Sequence, residues 1–384
     1  MRLLNRKLIL IKDVPYGRIK IFSILIMTML LSSCHVGRYF IYNFADIKDY
    51  KKFPSVPVNT QLPAFTFFQP SQNRTPALPS GISMDPEIKN FPAFLEKHQT
   101  TSFLIIRNDS LLYEFYGDAR SKKSINPSFS VAKTFVSALM GIAISEGKIK
   151  STQEPITNYL KELTEPGFEK IRIEDLLNMR SGISFNETYT SPFGQMPMYY
   201  YGKNLEKYVQ KLKIKEPPDQ HFEYISVNTL LLSMIIEKAT GKKLSEYLTE
   251  KIWQPLGMEY PATMSIDSKK HQTIKAFCCL NARARDFAKF GRLYLNKGKW
   301  QGKQILPKNW VERSTSVIND SHDARGFPYT YQWRVTKEGN FFAYGVLGQY
   351  IYVCPAQNMI FVRTGKTNKK ADWPALFVEL SKQY

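Results

Sequence analysis

The residue pair best suited to catalysis is Ser130 and Lys133, in the segment Pro127 to Lys148, PSFSVAKTFVSALMGIAISEGK. Three residues make a little less than one helical turn, so the hydroxyl and the ammonium project from one face within hydrogen-bond range. A serine becomes a nucleophile when a base takes its proton, and a lysine in an apolar pocket can lose enough charge to help. The pair predicts nucleophilic catalysis. Chance is the alternative, because Ser145 and Lys148 repeat the spacing in the same segment.

A second pair of polar side chains, Tyr224 and Ser226, comes just before a predicted helix that starts at Asn228. Residues two apart on an extended loop point the same way, so both side chains can face a serine and a lysine across a cleft. The pKa of an isolated tyrosine is about 10, and a neighbouring ammonium favours the phenolate, which can act as a base. The alternative is an aromatic residue that only packs at the helix entrance.

A third element is the glycine-marked stretch Ala343 to Gln349, AYGVLGQ, at a predicted sheet edge. Gly345 lets a backbone approach a bound acyl group. The amide of Val346 can then pair with the amide of Ser130 to form an oxyanion hole. The alternative is a β-bulge.

Apolar spacing predicts the helix that must carry the Ser130 pair. Five apolar residues recur at near-helical spacing after Ser130, and small residues between them let neighbouring elements pack close. They are Val131, Phe135, Leu139, Ile142 and Ile144. The pattern predicts a long buried helix that stops at Gly147.

Strands are predicted toward both ends of the chain. Ser102 to Ile106 and Leu111 to Tyr116 flank Asn108-Asp109 as a hairpin. Four more strands are predicted, followed by a helix: Tyr331 to Val335, Asn340 to Tyr344, Gln349 to Val353 and Met359 to Arg363, then Trp373 to Ser381. This order predicts an α+β fold, with one antiparallel sheet formed from the N- and C-terminal parts and flanked by helices.

The middle of the chain, at about 150–275, is predicted to be a mostly helical insert. Its helices are predicted at Pro155 to Leu163, Ile173 to Met179, Asn204 to Leu212, Asn228 to Thr240 and Leu244 to Trp253. Two more helices are predicted outside the insert, at Asp85 to Gln99 and Ala276 to Lys297. Residues 184–203 are rich in tyrosine, proline and glycine without clean periodicity, which predicts a loop over a pocket.

Composition indicates a globular protein with dispersed positive charge. The 384 residues are 43% hydrophobic and carry a formal charge of +20, which favours an acidic cell-surface polymer as partner or solubility alone. No basic helix, RNA-binding motif or metal finger accompanies the lysines, so nucleic acid is not a predicted partner. Among four cysteines, Cys278 and Cys279 are adjacent, and neighbouring side chains seldom bridge. With no paired CxxC spacing, no metal site is predicted.

The N-terminus has the parts of a secretory signal. An apolar run at 21–31, IFSILIMTMLL, follows Arg18 and Lys20 and precedes Ser-Ser-Cys34. It is similar to a bacterial lipoprotein signal, so we predict a signal peptide at 1–33, lipidation of Cys34 and a tether and wrapping segment at 34–84. The alternative is an uncleaved membrane anchor. Either arrangement predicts a membrane-attached protein whose catalytic part, at 85–384, lies outside the cytoplasm.

Taken in order, the three elements resemble those of the serine β-lactamase and penicillin-binding protein superfamily, for which Ser-x-x-Lys is a known signature. The particular likeness is to the class C branch and to the related carboxylesterases and 6-aminohexanoate-dimer hydrolases. Blocks similar to the family cover roughly Asp85 to Lys382, among them FSVAKTFVSALMGIAISEGKI, IEDLLNMRSGI, HFEYISVNTLLLSMIIEKATGKKLSEYL and ARDFAKFGRLYLNKG.

The resemblance implies an enzyme, a serine hydrolase acting on a small-molecule ester or amide without a cofactor. Ser130 would form an acyl-enzyme and Lys133 would assist proton transfer. Tyr224 would be the base in acylation and the acid for the leaving group. Ser226 stands where class C enzymes have asparagine, and its hydroxyl can bond Lys133 or substrate.

The resemblance also has a departure, at Ala343. Members that hydrolyse β-lactams usually have a lysine or histidine there, and its loss removes a charged hydrogen bond worth roughly 1.5–3 kcal/mol, or about 10- to 150-fold in rate. A D-alanyl-D-alanine carboxypeptidase or β-lactamase stays an alternative if Arg363 or another cation takes over. A non-catalytic cell-envelope binding protein is a further alternative. The natural substrate and the oligomeric state are left open.

Overall fold

The computed structural model describes residues 35–42, 44–71, 74–82, 87–368 and 371–384. The predicted signal peptide, Cys34 and the start of the helix predicted from Asp85 lie outside these residues. None of the helices in the described ranges is both long and apolar enough to cross a bilayer.

The predicted hairpin is present as the antiparallel strands Thr100–Arg107 and Ser110–Phe115. Asn108 and Asp109 make its turn with φ angles of 50° and 60°. Asparagine and aspartate tolerate this left-handed conformation, which two-residue hairpin turns require. The turn therefore sets the pairing of Arg107 with Ser110, where the two strands of the hairpin meet.

This hairpin forms one side of a seven-stranded antiparallel sheet, here called the main sheet. In order across the sheet, the strands are Tyr329–Thr330, Trp333–Val335, Phe341–Gly345, Gln349–Cys354, Met359–Gly365, Thr100–Arg107 and Ser110–Phe115. The two ends of the chain meet where Met359–Gly365 pairs with Thr100–Arg107. The predicted α+β fold is confirmed.

Two helices near the chain ends cover one face of the main sheet. Trp373–Ser381 has the predicted bounds, and Asp372 caps its N-terminus by accepting from the amide of Ala375 at 3.2 Å. The helix predicted from Asp85 is shorter, Phe91–Lys97, because Asn90 caps it from the amide of Ala93.

The opposite face carries three longer helices and the segments that hold the predicted site residues. They are Ala132–Ser145, Ser226–Thr240 and Ala284–Leu295. The helix predicted at Ala276 to Lys297 begins only at Ala284, because Leu280–Ala282 before it is a strand. It belongs to a four-stranded sheet ordered Ser55–Val58, Ala262–Ser265, Leu280–Ala282 and Asn126–Pro127. The buried Asn281 amide bonds the hydroxyls of Thr263 and Ser265, so tertiary pairing overrides the helical pattern.

The insert is helical but more broken than predicted. Its α-helices are Ile173–Leu177, Gln195–Tyr201, Leu205–Val209, Ser226–Thr240 and Leu244–Leu248, the last continued by a π-helix, Thr249–Trp253. The helix predicted at Pro155 to Leu163 is only a 3-10 turn, Ile156–Asn158. The remaining elements are the helices His35–Tyr42 and Lys308–Ser314, the 3-10 turns Asp49–Lys51, Phe129–Val131 and Phe168–Lys170, and the short strands Ile183–Ser184, Lys213–Ile214, Lys299–Trp300 and Lys303–Gln304.

Candidate active site

Ser130 lies in a strained turn at the start of a buried helix. The 3-10 turn Phe129–Val131 leads directly into Ala132–Ser145, and Phe129 has a φ of 44°, which is rare for a bulky residue. Ser128 holds the turn, because its hydroxyl donates to the Cys278 carbonyl at 2.5 Å. Such a backbone costs on the order of 1–3 kcal/mol and persists where tertiary contacts impose it.

Lys133 occupies the centre of the site and is only 1% exposed. Its ammonium donates to Ser130 Oγ at 3.2 Å, to Ser226 Oγ at 3.1 Å and to the Phe277 carbonyl at 2.8 Å. All three acceptors are uncharged. The structure therefore brings the predicted serine and lysine together, and it adds Ser226 to the same ammonium.

Tyr224 lies beside this ammonium, between two cations. Lys133 Nζ is 5.1 Å from the centroid of the tyrosine ring, and the Arg334 guanidinium carbon is 5.5 Å from it. Arg334 is nearly buried and donates to Asp323 at 2.5 Å. Burial raises the pKa of the neighbouring Tyr329 well above its usual range. Tyr224 raises this pKa further, and the positive charge of Arg334 lowers it. Tyr329 therefore stays a neutral phenol, which has no open site for the proton of Ser130.

Glu187 is a member of the site that sequence reasoning missed. The backbone amide and the hydroxyl of Ser226 both donate to its carboxylate, at 2.7 Å and 2.6 Å. The Tyr189 hydroxyl donates to the same carboxylate at 2.7 Å, and burial together with Glu187 raises the pKa of Tyr189. A proton-sharing chain therefore runs from Lys133 through Ser226 to Glu187.

Glu187 also stabilises the helix that presents Ser226. Ser226–Thr240 begins at this residue, and a carboxylate on the first amides of a helix is stabilising. Glu187 belongs to residues 184–203. The sequence predicts a loop over a pocket there, but it does not distinguish Glu187 from the other residues of the loop.

A mostly apolar cavity of about 290 Å³ opens above Ser130 and Ser226. Its walls include aromatic residues from the N-terminal segment and from the 184–203 stretch: Tyr39, Phe44, Tyr189, Tyr200 and Tyr201. The predicted loop over a pocket is thus present, although it contains the helix Gln195–Tyr201. Such a cavity suits an apolar ligand held by few polar contacts.

The third element reaches the backbone of Ser130. A Cβ at Gly345 would lie 2.5 Å from the Ser128 carbonyl oxygen and 3.1 Å from the Ser130 amide nitrogen, so only glycine fits. Val346 lines the cavity with Ser130. The strand pairing is regular up to Gly345, which disfavours a bulge. The oxyanion role of the Ser130 and Val346 amides stays a prediction.

Arg363 does not replace the cation that Ala343 lacks. Its guanidinium donates to the Thr100 hydroxyl and to four carbonyls, those of His98, Leu347, Gly348 and Thr367. It also lies 3.7 Å from the Trp373 ring centroid, under the C-terminal helix. Strand alternation puts Arg363 on the face of the main sheet away from Ser130, and Ala343 is itself buried in the core.

Cys278 and Cys279 form a disulfide, contrary to the expectation that adjacent cysteines stay apart. The amides of both residues donate to the Lys275 carbonyl, at 3.2 Å each, and this tight turn brings the sulfurs together. Cys278 lines the cavity, and the carbonyl before it, that of Phe277, accepts from Lys133.

Comparison with known proteins places this chain in a family. A family model described as Beta-lactamase matches residues 89–376, three quarters of the chain. The chain belongs to the Beta-lactamase family. Its relatives include the 6-aminohexanoate-dimer hydrolase of Paenarthrobacter ureafaciens, which is 27% identical over 306 residues, 73% of this chain and 74% of the relative.

Solved structures agree on the fold. A Bacillus anthracis protein superimposes with a TM-score of 0.70 at 22% identity, covering 89% of this chain and 94% of that one. A family VIII carboxylesterase superimposes with a TM-score of 0.62 at 14% identity, covering 76% and 95%. The family assignment agrees with the predicted resemblance to the serine β-lactamase and penicillin-binding protein superfamily, and this chain is a serine hydrolase of that fold.

Proposed function

We propose that this protein hydrolyses an ester or amide through an acyl-enzyme on Ser130. The observation that carries the proposal is the Lys133 ammonium, which bonds both Ser130 and Ser226 at the floor of an apolar cavity. A buried cation held by hydroxyls can move a proton at little cost, whereas one held by a carboxylate cannot.

In the proposed reaction, Ser130 Oγ attacks the substrate carbonyl carbon while its proton passes to Tyr224, assisted by Lys133. The amides of Ser130 and Val346 stabilise the oxyanion. Tyr224 returns the proton to the leaving alcohol or amine as the acyl-enzyme forms. Water then attacks the ester carbonyl and gives a proton to Tyr224, and Tyr224 returns that proton to Ser130 Oγ as the acid product leaves, which restores the Ser130 hydroxyl.

The cavity supports an apolar acyl or alcohol group in the substrate. A D-alanyl-D-alanine carboxypeptidase or β-lactamase must hold a substrate carboxylate, but Ala343 is uncharged, Arg363 bonds the backbone on the other face of the main sheet, and Arg334 is already paired with Asp323. We therefore expect turnover of p-nitrophenyl butyrate and little turnover of nitrocefin. Efficient nitrocefin turnover without ester turnover would favour the alternative.

Labelling by a fluorophosphonate probe tests the nucleophile. Ser130→Ala should abolish labelling and ester turnover, whereas a non-catalytic binding protein would label with neither form. Ser145→Ala is a matched control, because Ser145 and Lys148 have the same spacing at the exposed end of the helix. Labelling that survives in Ser130→Ala would overturn the proposal.

We also propose that the protein is a membrane-anchored lipoprotein of the bacterial cell envelope, with a signal peptide at 1–33 and a lipid on Cys34. Its support is the sequence alone, namely the apolar run at 21–31 followed by Ser-Ser-Cys34. Metabolic labelling with radioactive palmitate should mark the native chain and not Cys34→Ser. Equal labelling of both would contradict lipidation at this cysteine.

A further inference from the structure

Four large apolar side chains, three of them aromatic, are exposed on the N-terminal segment and on the turn before Gln195–Tyr201. They are Phe40, Ile41, Phe44 and Phe193, exposed by 68%, 61%, 57% and 80%, and we call them the aromatic rim. Scattered apolar residues on a surface need no explanation, but clustered ones mark a partner or a membrane.

The aromatic rim borders the active-site cavity. Phe44 lines the cavity itself, and the helix His35–Tyr42 carries the two rim residues Phe40 and Ile41. This helix is fixed to the segment that holds Phe193, because the Tyr39 hydroxyl donates to the Tyr189 carbonyl at 3.3 Å and His35 bonds the backbone of Pro192. The rim and the cavity wall are therefore one surface.

The chain before the rim indicates what covers it. The apolar run at 21–31 ends four residues before His35. Four residues span at most about 14 Å when extended, since each adds no more than about 3.6 Å. A membrane that holds this run, or a lipid on Cys34, therefore lies within reach of the aromatic rim.

We propose that the aromatic rim inserts into the interfacial region of the lipid bilayer, so that the cavity opens toward the membrane and takes a substrate with an apolar acyl chain from it. Phenylalanine and isoleucine on the outer side of a short helix are the side chains that such an interface takes up. The contact rests on the proposed membrane anchor and not on the catalytic proposal, whereas the substrate class rests on the proposed acyl-enzyme reaction.

Tryptophan quenching tests the contact without using activity. The full chain is reconstituted into vesicles of phosphatidylethanolamine and phosphatidylglycerol with brominated acyl chains, as Phe40→Trp and as the control Val317→Trp. Val317 is also exposed, by 58%, but it lines a different groove, with Phe327 and Val378. The five native tryptophans are at most 8% exposed, so they contribute little quenching.

We expect the added emission of Phe40→Trp to fall at least twofold in brominated vesicles and that of Val317→Trp to stay constant. Equal quenching at both positions, or none at Phe40→Trp, would overturn the proposal. The latter result together with a concentration-dependent dimer would assign the aromatic rim to a second copy of the chain.

Chain-length preference tests the substrate class. Phe40 and Ile41 do not line the cavity, so Phe40→Ser/Ile41→Ser should hydrolyse soluble p-nitrophenyl acetate within twofold of the native rate. Its hydrolysis of p-nitrophenyl palmitate in vesicles should fall about tenfold, and Val317→Ser should match the native chain on both esters. Equal losses on both esters, or no loss on the palmitate, would overturn the membrane route.

Discussion

Lys133 and Lys289 are both buried lysines, but their surroundings differ in kind. Lys289 donates to Asp286 at 3.2 Å and lies 3.3 Å from a carboxylate oxygen of Glu259. Lys133 bonds two hydroxyls and a carbonyl. A carboxylate fixes the proton on its lysine, whereas hydroxyls can pass one on, so we expect the first environment to stabilise the fold and the second to serve the proposed reaction.

Lys275 shows a third solution and sharpens this contrast. It is fully buried, its ammonium bonds the carbonyls of Tyr199 and Tyr200, and it lies 4.6 Å from the Phe53 ring centroid. Burial lowers its pKa to about 7, with Asp267 opposing that shift. A low lysine pKa alone therefore does not identify the proposed catalytic lysine, because within the described residues the ammonium of Lys275 bonds carbonyls and no hydroxyl.

The largest expected effect separates Lys133 from the other two lysines. Lys133→Met should lower kcat/KM for p-nitrophenyl butyrate by about 10²- to 10⁴-fold, because assisted proton transfer is lost. Steady-state kinetics measure the loss in kcat/KM, and a thermal melt checks that the variant stays folded. A variant that keeps activity within tenfold of the native chain would remove Lys133 from the proposed mechanism.

Lys289→Met should mainly damage stability. It leaves the fully buried Asp286 carboxylate without its lysine, which costs about 3–5 kcal/mol, whereas Glu259 keeps Arg285 at 3.8 Å. Burial already raises the pKa of Asp286, and Lys289 opposes that shift, so the variant raises it further. Protonation then relieves the buried charge, and the stability deficit should shrink from pH 7 to pH 5.

Urea unfolding at the two pH values measures this deficit, and kcat of the folded fraction should stay within a few-fold of native. A loss below about 1 kcal/mol at pH 7 would show that the ion pair contributes little, as exposed pairs do.

Glu187→Gln tests whether the chain beyond Lys133 matters. The amide keeps the size of the side chain but loses the charge that Ser226 and Tyr189 donate to, so we expect a loss in kcat/KM of about 10- to 150-fold, from about 1.5–3 kcal/mol. Glu223→Gln is the control, because Glu223 lies 3.0 Å from Lys215 in an exposed ion pair. Equal activity of both variants would make Glu187 a structural residue only.

Local patterns predicted the elements, and long-range contacts account for what was missed. The bounds of Trp373–Ser381 and the helix after Ser130 follow from apolar spacing, and the hairpin follows from its Asn-Asp turn. Leu280–Ala282 was predicted as helix because its strand partner, Ala262–Ser265, is not a sequence neighbour.

The site shows the same division. Ser130 and Lys133 share one helical turn, so their spacing was informative. Glu187 reaches Ser226 across 39 positions, and Arg334 reaches Tyr224 from the distant strand Trp333–Val335, so neither left a local signal.

The last prediction concerns Lys275 and the pH dependence of the free energy of unfolding. Between its folded pKa of about 7 and its unfolded value of 10.5, the unfolded chain holds a proton that the folded chain has lost. The free energy of unfolding should therefore rise with pH in this window, by at most about 1.4 kcal/mol per unit, and be flat below it.

Lys275→Met removes this contribution. The free energy of unfolding of the native chain minus that of Lys275→Met should therefore increase from pH 7 to pH 9. The exposed Lys148→Met controls for the loss of one positive charge. Parallel curves for the native chain and Lys275→Met would mean that Lys275 stays protonated inside the fold. Its carbonyl contacts would then suffice to hold a buried charge, and the distinction from Lys133 would rest on the hydroxyls alone.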